Sequence, residues 1–320
     1  MTLPALVAPD SFKGTFAAPE VAAAIAAGLR AGEREAVELP VADGGEGTMD
    51  VLVDTLGGEY RTATVSDPLG RPIEARFGLL PDGSAVVETA QASGLGLVAE
   101  DERDAWAAST RGTGDLIVAA AEAGATHVLV TVGGSATTDG GAGALEALVE
   151  AGVNLELEVL CDVRTPFEKA PSVFGPQKGA DPQLVKRLEK RLDELAATLE
   201  RDPRGEPMTG AAGGLSGGLW GGRGARLVPG APYLLDAIGF DALMRDSAFV
   251  VTGEGRLDSQ TLAGKIVGEV ATRFRQAGVT CHAIVGGNSL DSFDERIIDL
   301  ASVTEATTLE EMKAAGRALV

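Results

Sequence analysis

Short apolar runs that alternate with amphipathic helical stretches are the feature that most limits how this chain can fold. Residues 5–8 (ALVA) precede an alanine-rich stretch that has Pro19 near its start and Gly32 at its end. Residues 37–42 (VELPVA) precede a second helical stretch, TMDVLVDTL, which is also followed by glycine. Proline favours the first turn of a helix, and glycine favours its end. The order strand, helix, strand, helix predicts a parallel α/β unit.

The pattern changes between residues 60 and 90. Three strand-like stretches, YRTATV, PIEARFGLL and AVVETA, are separated by the turn sequences SDPLGR and PDGS. Such a run predicts an antiparallel meander, and the helix and strand that follow it indicate a mixed α/β domain. The strand–helix alternation resumes at AFVVTGEG. We therefore predict a discontinuous first domain, 1–60 plus 245–320, with residues 61–244 inserted into it as the second domain.

Composition excludes several classes of partner. The chain has 320 residues and a net charge of −20, so nucleic acid and anionic membrane surfaces are disfavoured. The N-terminal segment lacks the basic and apolar parts of a signal peptide, and no apolar run is long enough to span a bilayer. Cys161 and Cys281 are far apart in apolar stretches, which predicts buried thiols rather than a disulfide or metal site. A reducing, cytoplasmic location is therefore expected.

Three predicted strands end in segments that combine carboxylates with glycine or a cation. In an open α/β sheet, ligands bind beyond the carboxyl ends of the strands. Plain turns explain any one of these segments about as well, because Asp-Gly is itself a turn signal. The three together favour a functional site. The segments are PDSFKGT (Asp10, Ser11 and Lys13), ADGGEGT (Asp43, Gly44, Gly45, Glu46 and Thr48) and TGEGRLDSQT (Glu254, Arg256 and Asp258).

The second predicted domain has glycine-rich segments of its own. GGSATTDGG at 133–141 follows an apolar strand, and FGPQKGA and GAAGGLSGGLWGG occupy 174–180 and 210–222. Backbone N–H groups in such loops can cradle phosphate or carboxylate. A hinge or close helix packing explains residues 210–222 equally well, and a lone lysine such as Lys178 is usually solvated.

Several familiar sites are excluded by their missing motifs. The chain contains no GxxxxGK[ST], no strand-linked GxGxxG and no HExxH. His127 and His282 lie in apolar strands, where a structural role is expected. A serine–histidine hydrolase would therefore have no obvious base.

Together these motifs resemble the bacterial glycerate kinase family of the glycerate 2-kinase (type 1) kind. The matching stretches run from residue 8 to about 271 in the family's order. They are APDSFKGT, PVADGGEGT, TRGTGDLI, GGSATTDGGAG, CDV, FGPQKGAD, GAAGGL and VVTGEGRLDSQTLAGK. The sequence departs from the family pattern after Val149, after CDV and at Val267, and its C-terminal end is short. These departures spare the charged motifs.

The resemblance implies a flavodoxin-like domain, a domain like the restriction endonucleases, and transfer of phosphate from ATP to D-glycerate with Mg²⁺. Asp43, Asp10, Lys13 and Asp258 are then the expected catalytic residues, with Asp43 favoured as the base. Asp43, Glu254 and Asp258 are the expected metal ligands. Arg256 and Lys13 are candidates for the glycerate carboxylate, and Lys13 or Lys265 for the transferring phosphoryl group. Expected substrate or nucleotide contacts are Ser11, Gly44, Gly45, Glu46, Arg111, Gly133, Gly134, Ser135, Thr137, Thr138, Asp139, Asp162, Lys178, Gly213, Gly214, Glu254, Arg256 and Lys265.

Two other functions stay open at this point. One is a kinase for another small hydroxy acid, which the shortened connection after Val149 would motivate. The other is a sensor that binds a sugar acid without turnover, although such a sensor gains little from carboxylates at three strand ends. The sequence also leaves open whether the product is 2- or 3-phosphoglycerate, which loop takes ATP, and whether the chain forms a homodimer. Binding between the two domains, with closure around the substrates, is expected.

Overall fold

The computed structural model describes residues 3–259, 261–263 and 265–320. The strands are β1 Ala5–Pro9, β2 Ala36–Glu38, β3 Glu59–Ser66, β4 Pro72–Leu79, β5 Ser84–Glu88, β6 His127–Thr131, β7 Glu156–Cys161, β8 Arg226–Pro229, β9 Phe249–Gly253, β10 Cys281–Val285 and β11 Ser302–Glu305. The helices are α1 Ala18–Ala31, α2 Thr48–Leu56, α3 Ala90–Ser93, α4 Arg111–Glu122, α5 Ala142–Glu150, α6 Ala170–Phe174, α7 Pro182–Ala196, α8 Leu215–Arg223, α9 Gly230–Ala237, α10 Phe240–Arg245, α11 Ile266–Ala277, α12 Ser292–Ile298 and α13 Leu309–Ala318.

The chain divides into two compact units. The first consists of the described residues up to Asp43 and those from Ala231 onward, and the second is Gly44–Gly230. The first unit is built on a five-stranded sheet of order β11-β10-β9-β1-β2 with parallel pairing throughout. Counted along the chain within this unit, the order is 2-1-3-4-5, which is that of flavodoxin-like folds. The predicted flavodoxin-like sheet is thus confirmed.

The first unit has its core on the face covered by α1 and α13. Val21, Ile25 and Leu29 of α1 are fully buried there with Met312 of α13. Two glycines let the helix backbones approach each other. A Cβ on Gly28 would lie 2.0 Å from the Lys313 carbonyl oxygen, and one on Gly316 would lie 2.5 Å from that of Ile25. This packing joins the N-terminal and C-terminal segments of the unit.

The second unit is built on a six-stranded mixed sheet of order β3-β4-β5-β6-β7-β8. β3, β4 and β5 pair antiparallel, as the turn sequences predict, and β5 to β8 pair parallel. Helix α4 packs on this sheet, burying Leu116 and Ile117 against Val128 and Val130 of β6. The mixed sheet confirms the second half of the predicted fold class.

Local sequence signals act as predicted at most helix ends. The Asp181 carboxylate caps α7, accepting hydrogen bonds from the backbone N–H groups of Gln183 at 2.9 Å and Leu184 at 2.7 Å. Strand β2 is shorter than the predicted 37–42 because Pro40 interrupts it. The backbone beyond β2 still bonds to β1, since Leu39 donates to the Val7 carbonyl and Val41 to that of Pro9.

The unit boundaries differ from the predicted 60/61 and 244/245. Helix α2 belongs to the second unit because it packs on β4, where a Cβ on Gly78 would lie 2.3 Å from Val53 Cγ2. Helices α9 and α10 belong to the first unit because Arg273 of α11 donates to Asp236 at 2.7 Å and to Asp241 at 3.1 Å. No helix in the described part of the chain is both long and apolar enough to cross a membrane.

Candidate active site

The first unit carries a pocket at the carboxyl ends of its central strands. β1 and β9 are adjacent in the sheet, and the chain leaves them towards opposite sides, so their ends form the switch point at which such sheets bind ligands. Asp10 directly follows β1 and Glu254 directly follows β9. The pocket has a volume of about 410 Å³. It brings together eight predicted site residues: Asp10, Ser11, Lys13, Asp43, Glu254, Arg256, Asp258 and Lys265. We call it the acidic pocket.

Two buried carboxyl groups of the acidic pocket are held in conditions that favour their protonated forms. Burial raises the pKa of Asp10 to about 8, and the negative charge of Asp43 adds to the effect. The Ser11 backbone N–H, 2.6 Å from Asp10 Oδ1, opposes it. Burial likewise raises the pKa of Glu254 to about 7, although the Thr261 hydroxyl donates to its Oε1 at 2.6 Å. A bound cation would stabilise the ionised forms of Asp10 and Glu254 and so lower their pKa values.

Cations line the same pocket. Lys13 Nζ lies 3.8 Å from Asp43 Oδ2, and the Lys13 side chain is 59% exposed whereas that of Asp43 is 3% exposed. The Arg256 guanidinium donates to Ser289 Oγ from Nη2 at 2.8 Å and from Nε at 3.1 Å. Lys265 lies close enough to Glu254 to lower its pKa. Mixed charges of this kind suit a ligand that carries both phosphates and a divalent cation.

The donor set of the acidic pocket fits Mg²⁺ in a particular way. Among the described residues no group of three or more His, Cys, Asp or Glu side chains is close enough together to hold a metal ion. Mg²⁺ is usually bound by one or two carboxylates, with water and substrate phosphate oxygens completing the octahedron. Buried oxygen donors at Asp43 and Glu254 satisfy that requirement. The trio Asp43, Glu254 and Asp258 stays a prediction.

The second unit carries a smaller cavity of about 90 Å³ at the carboxyl ends of β6 and β7. We call it the Lys178 cavity. The Lys178 side chain is 2% exposed, and its Nζ donates to Ser135 Oγ at 2.9 Å and to the Thr137 carbonyl at 2.6 Å. Burial lowers its pKa to about 7. The cavity is lined by Val132, Gly133, Gly134, Ser135, Asp162, Val163, Phe174, Gln177, Lys178 and Ala212.

Glycines of the 133–141 loop permit close contacts. A Cβ on Gly133 would lie 2.6 Å from Gly45 Cα and 2.9 Å from the Glu46 nitrogen. The Val132 N–H donates to the Gly44 carbonyl at 3.1 Å, and Gly44 itself has a φ of +98°. The predicted residues Gly44, Gly45 and Glu46 thus lie against the first glycine of the loop, where only a residue without a side chain fits.

The second half of the loop is buried structure. The Asp139 carboxylate accepts from Thr110 and Gly143 N–H groups and so ties together the first turns of α4 and α5. Thr137 and Thr138 are fully buried. A Cβ on Gly213 would lie 1.9 Å from the Thr137 carbonyl, and one on Gly214 would lie 3.0 Å from Gly140 Cα. Residues 210–214 therefore pack closely on the loop. This agrees with close packing, one of the explanations that the sequence offered for residues 210–222. Neither the acidic pocket nor the Lys178 cavity is lined by Thr137, Thr138, Asp139, Gly213 or Gly214.

Arg111 lies elsewhere. It is the first residue of α4, and its guanidinium pairs with Asp115 at 3.1 Å and with Glu150 at 2.6 Å. The structure brings it to neither the acidic pocket nor the Lys178 cavity.

Glu88 is the residue that sequence reasoning missed. It ends β5, is 3% exposed, and its Oε2 accepts from the Gly47 N–H at 3.0 Å and the Met49 N–H at 3.2 Å. It therefore holds the GGEGT loop onto the second sheet and caps α2. Burial raises its pKa to about 7. The sequence contained a signal for Glu88. The apolar strand SAVVE ends in an acidic residue, just as Asp10 and Asp43 follow apolar strands.

A doubly wound parallel sheet with a carboxylate- and lysine-lined pocket at its switch point defines an α/β protein that binds a small, charged ligand. Comparison with known proteins agrees. The model of the glycerate kinase family matches residues 5–154 and 149–320. The glycerate kinase of Bacillus subtilis strain 168 is 40% identical, with 90% of this chain and 86% of that protein covered. The glycerate 2-kinase of Escherichia coli K12 is 36% identical, with 85% and 82% covered.

A solved structure gives the same result. The crystal structure of a candidate glycerate kinase 2 from Salmonella typhimurium LT2 superposes with a TM-score of 0.82 at 33% identity, covering 100% of this chain and 97% of that one. The chain belongs to the glycerate kinase family, a family of enzymes, as its sequence motifs predict.

Proposed function

We propose that the protein transfers the γ-phosphoryl group of ATP to D-glycerate, giving 2-phosphoglycerate and ADP. The observation that carries the proposal is the acidic pocket, in which Asp10, Asp43 and Lys13 meet at the switch point of a flavodoxin-like sheet. Phosphoryl transfer needs in-line positioning, charge neutralisation and an acceptor for the hydroxyl proton. The pocket supplies groups for the last two.

Asp43 is proposed as the base that accepts the proton of the attacking glycerate hydroxyl. Asp10 is less favoured, because burial raises its pKa and so favours its protonated form. Lys13, beside Asp43, is the group proposed to offset the charge of the transferring phosphoryl. Asp258 lines the same pocket and is the second candidate for the base.

Mg²⁺, when bound, neutralises charge on the ATP phosphates. Glu254 would hold it together with whichever of Asp43 and Asp258 does not serve as the base, and the buried carboxylates would then lose their protons more readily. Arg256 and Lys265 are proposed to contact phosphate oxygens, because both carry positive charge at the rim of the pocket. The hypothesis that ATP and glycerate meet in a cleft between the two domains stays a prediction.

Phosphorus NMR tests the reaction directly. Purified protein is incubated with Mg-ATP and D-glycerate, and the phosphomonoester peak is assigned against 2- and 3-phosphoglycerate standards. Growth of the 2-phosphoglycerate peak at the rate of ATP loss is the expected result. A 3-phosphoglycerate peak would correct the position of transfer. Intact ATP with glycerate bound would favour the sensor, and turnover with other hydroxy acids alone would favour a different kinase.

Location and assembly are also proposals. Both cysteines are buried and unpaired in the structure, which fits a reducing, cytoplasmic setting. A homodimer is the assembly to test, by light scattering of the purified protein at several concentrations.

A further inference from the structure

The two cavities differ enough in size and charge to be assigned to different substrates. The acidic pocket, at about 410 Å³, lies in the usual range for ligands of nucleotide size. The Lys178 cavity, at about 90 Å³, is far below the ~300 Å³ lower end of that range. It has room for a group of a few heavy atoms, but not for a nucleoside with its phosphates.

The Lys178 cavity also has an unusual pair of charged groups. A lysine ammonium has three donors, and the described structure uses two of them, on Ser135 Oγ and the Thr137 carbonyl. One donor is left for a ligand. A lysine is rarely buried this fully without a carboxylate partner in direct contact, because burial penalises its charge. The Asp139 carboxylate favours the charged form of Lys178, but burial outweighs it and lowers the pKa of Lys178. An anion in the cavity would contact the ammonium directly.

Asp162, which also lines the Lys178 cavity, helps to decide which ligand can bind there. A chain of nucleotide phosphates is disfavoured beside Asp162, because Lys178 is the one cation among the described residues that line this cavity. The acidic pocket, by contrast, is lined by Lys13, Arg256 and Lys265. A hydroxy acid is not disfavoured in the Lys178 cavity, because its carboxylate can face Lys178 while one of its hydroxyl groups donates to Asp162. One buried cation, one carboxylate and a glycine backbone thus match a molecule with one acidic end and neutral hydroxyls.

We infer that the Lys178 cavity is the D-glycerate subsite, with Lys178 binding the substrate carboxylate and Asp162 accepting from one of its two hydroxyls. This inference rests on the proposed function and assigns its acceptor substrate to the second unit. It replaces Arg256 and Lys13 as the expected contacts of the glycerate carboxylate. Those two cations, in the acidic pocket, are then left to the nucleotide phosphates.

Substitution separates the two substrates. Lys178→Met keeps the length of the side chain and removes the charge, so it should raise KM for D-glycerate by about tenfold to a hundredfold, the worth of a charged hydrogen bond. The KM for ATP should stay within about threefold. Asp162→Ala should also raise KM for D-glycerate, and Asp162→Asn, which keeps an acceptor oxygen, should restore part of the loss. Lys186→Met, on the exposed face of α7, is the matched control.

Hydrogen exchange on the wild-type protein tests the same inference without a substitution. Saturating D-glycerate alone should slow exchange in residues 133–138 and 174–178, and Mg-ADP alone should not. Because it uses the wild-type protein, this experiment tests the inference even if Lys178→Met does not fold. A circular dichroism melt of the variant would show whether it folds.

Three outcomes would overturn the inference. They are protection of 133–138 by Mg-ADP alone, unchanged exchange there under saturating glycerate, or a Lys178→Met variant that folds and keeps its KM for glycerate. Each of them leaves the kinase reaction itself intact if the wild-type protein forms phosphoglycerate. Absence of any phosphoglycerate would instead refute the proposed function.

Discussion

The acidic pocket and the Lys178 cavity handle buried charge in opposite ways. The acidic pocket gathers carboxyl groups, and burial raises the pKa of Asp10 to about 8 and that of Glu254 to about 7. The Lys178 cavity buries one ammonium group, and burial lowers its pKa to about 7. In both places burial disfavours the charged form of a group that the protein alone solvates poorly. Each site therefore suits a ligand of the opposite charge, and the proposed ligands are a cation with ATP in one and a carboxylate in the other.

The two sites also differ in how the chain builds them. The acidic pocket follows from topology, because parallel strands β1 and β9 deliver their ends to one edge. The Lys178 cavity depends on close packing of Gly133 on the backbone of Gly45 and Glu46, and on a lysine that enters from a distant segment. The second arrangement should be sensitive to a single methyl group at Gly133.

The largest effect is expected at Asp43. Asp43→Asn removes the proposed base and should lower kcat by about a hundredfold to ten-thousandfold, the usual worth of a general base. Steady-state kinetics with saturating Mg-ATP and D-glycerate measure it. Asp246→Asn, an exposed residue after α10, is the control. A kcat within threefold of wild type would move the role of base to Asp258.

The next effect sharpens the contrast between two lysines. Lys13→Met in the acidic pocket should lower kcat/KM for ATP by about tenfold to a hundredfold, because a charged contact to phosphate is lost. The dissociation constant for D-glycerate, measured by calorimetry without ATP, should not change. Lys313→Met on α13 serves as the exposed control. A selective loss of glycerate binding in the Lys13 variant would reverse the assignment of the two sites.

A smaller effect is expected at Gly133. Gly133→Ala places a methyl group 2.6 Å from Gly45 Cα, so backbone must move. We expect the free energy of unfolding to fall by about 1–3 kcal/mol, with KM for D-glycerate raised. Urea unfolding measures the first. Gly96→Ala, where nothing lies within 4 Å of the added Cβ, is the control. Equal stability of the two variants would contradict the close packing described here.

The smallest effect concerns pH. The folded-state pKa of Glu88 is raised from 4.5 to about 7, so the native state binds more protons than the unfolded state between these values. The contribution of Glu88 to stability therefore falls as pH rises through that range. Glu88→Gln keeps an oxygen that can accept from Gly47 and Met49, and should be more stable than wild type by roughly 1–2 kcal/mol at pH 8, less at pH 5.

Urea unfolding at the two pH values measures the Glu88 effect. Glu200→Gln, at an exposed position, should leave the pH dependence of stability unchanged. A stability that rises from pH 5 to pH 8 in the wild type but not in Glu88→Gln would contradict this prediction.

Much of the fold could be predicted from local signals. Apolar runs of four to six residues, proline and glycine at helix ends, and Asp181 before α7 act within a few residues, so they are legible in the sequence. The meeting of Asp10 and Glu254 was also predictable, because parallel strands share an edge. The amphipathic pattern of α2 shows that one of its faces is buried but does not identify its partner, so its place on the second sheet was missed.

The candidate site was less predictable where burial decides the chemistry. Lys178 has no local pattern that distinguishes a solvated lysine from a fully buried one, because its burial comes from packing of residues far away in sequence. Gly213 and Gly214 were also hard to interpret from the sequence, because their role is to pack against Thr137 and Gly140. Arg111 illustrates the converse, since a residue in a family motif forms a surface ion-pair network.

The discontinuous first unit has a consequence for the order in which the protein can fold during synthesis. Strand β1 lies inside the first sheet, between β2 and β9, and β9 is made only after the whole of Gly44–Gly230. The second unit can form its core as soon as it has left the ribosome, whereas β1, α1 and β2 must wait with their apolar faces uncovered. Alanine-rich α1 is the segment that a chaperone would have to protect, and truncation before α13 should leave the N-terminal segment exposed to proteases.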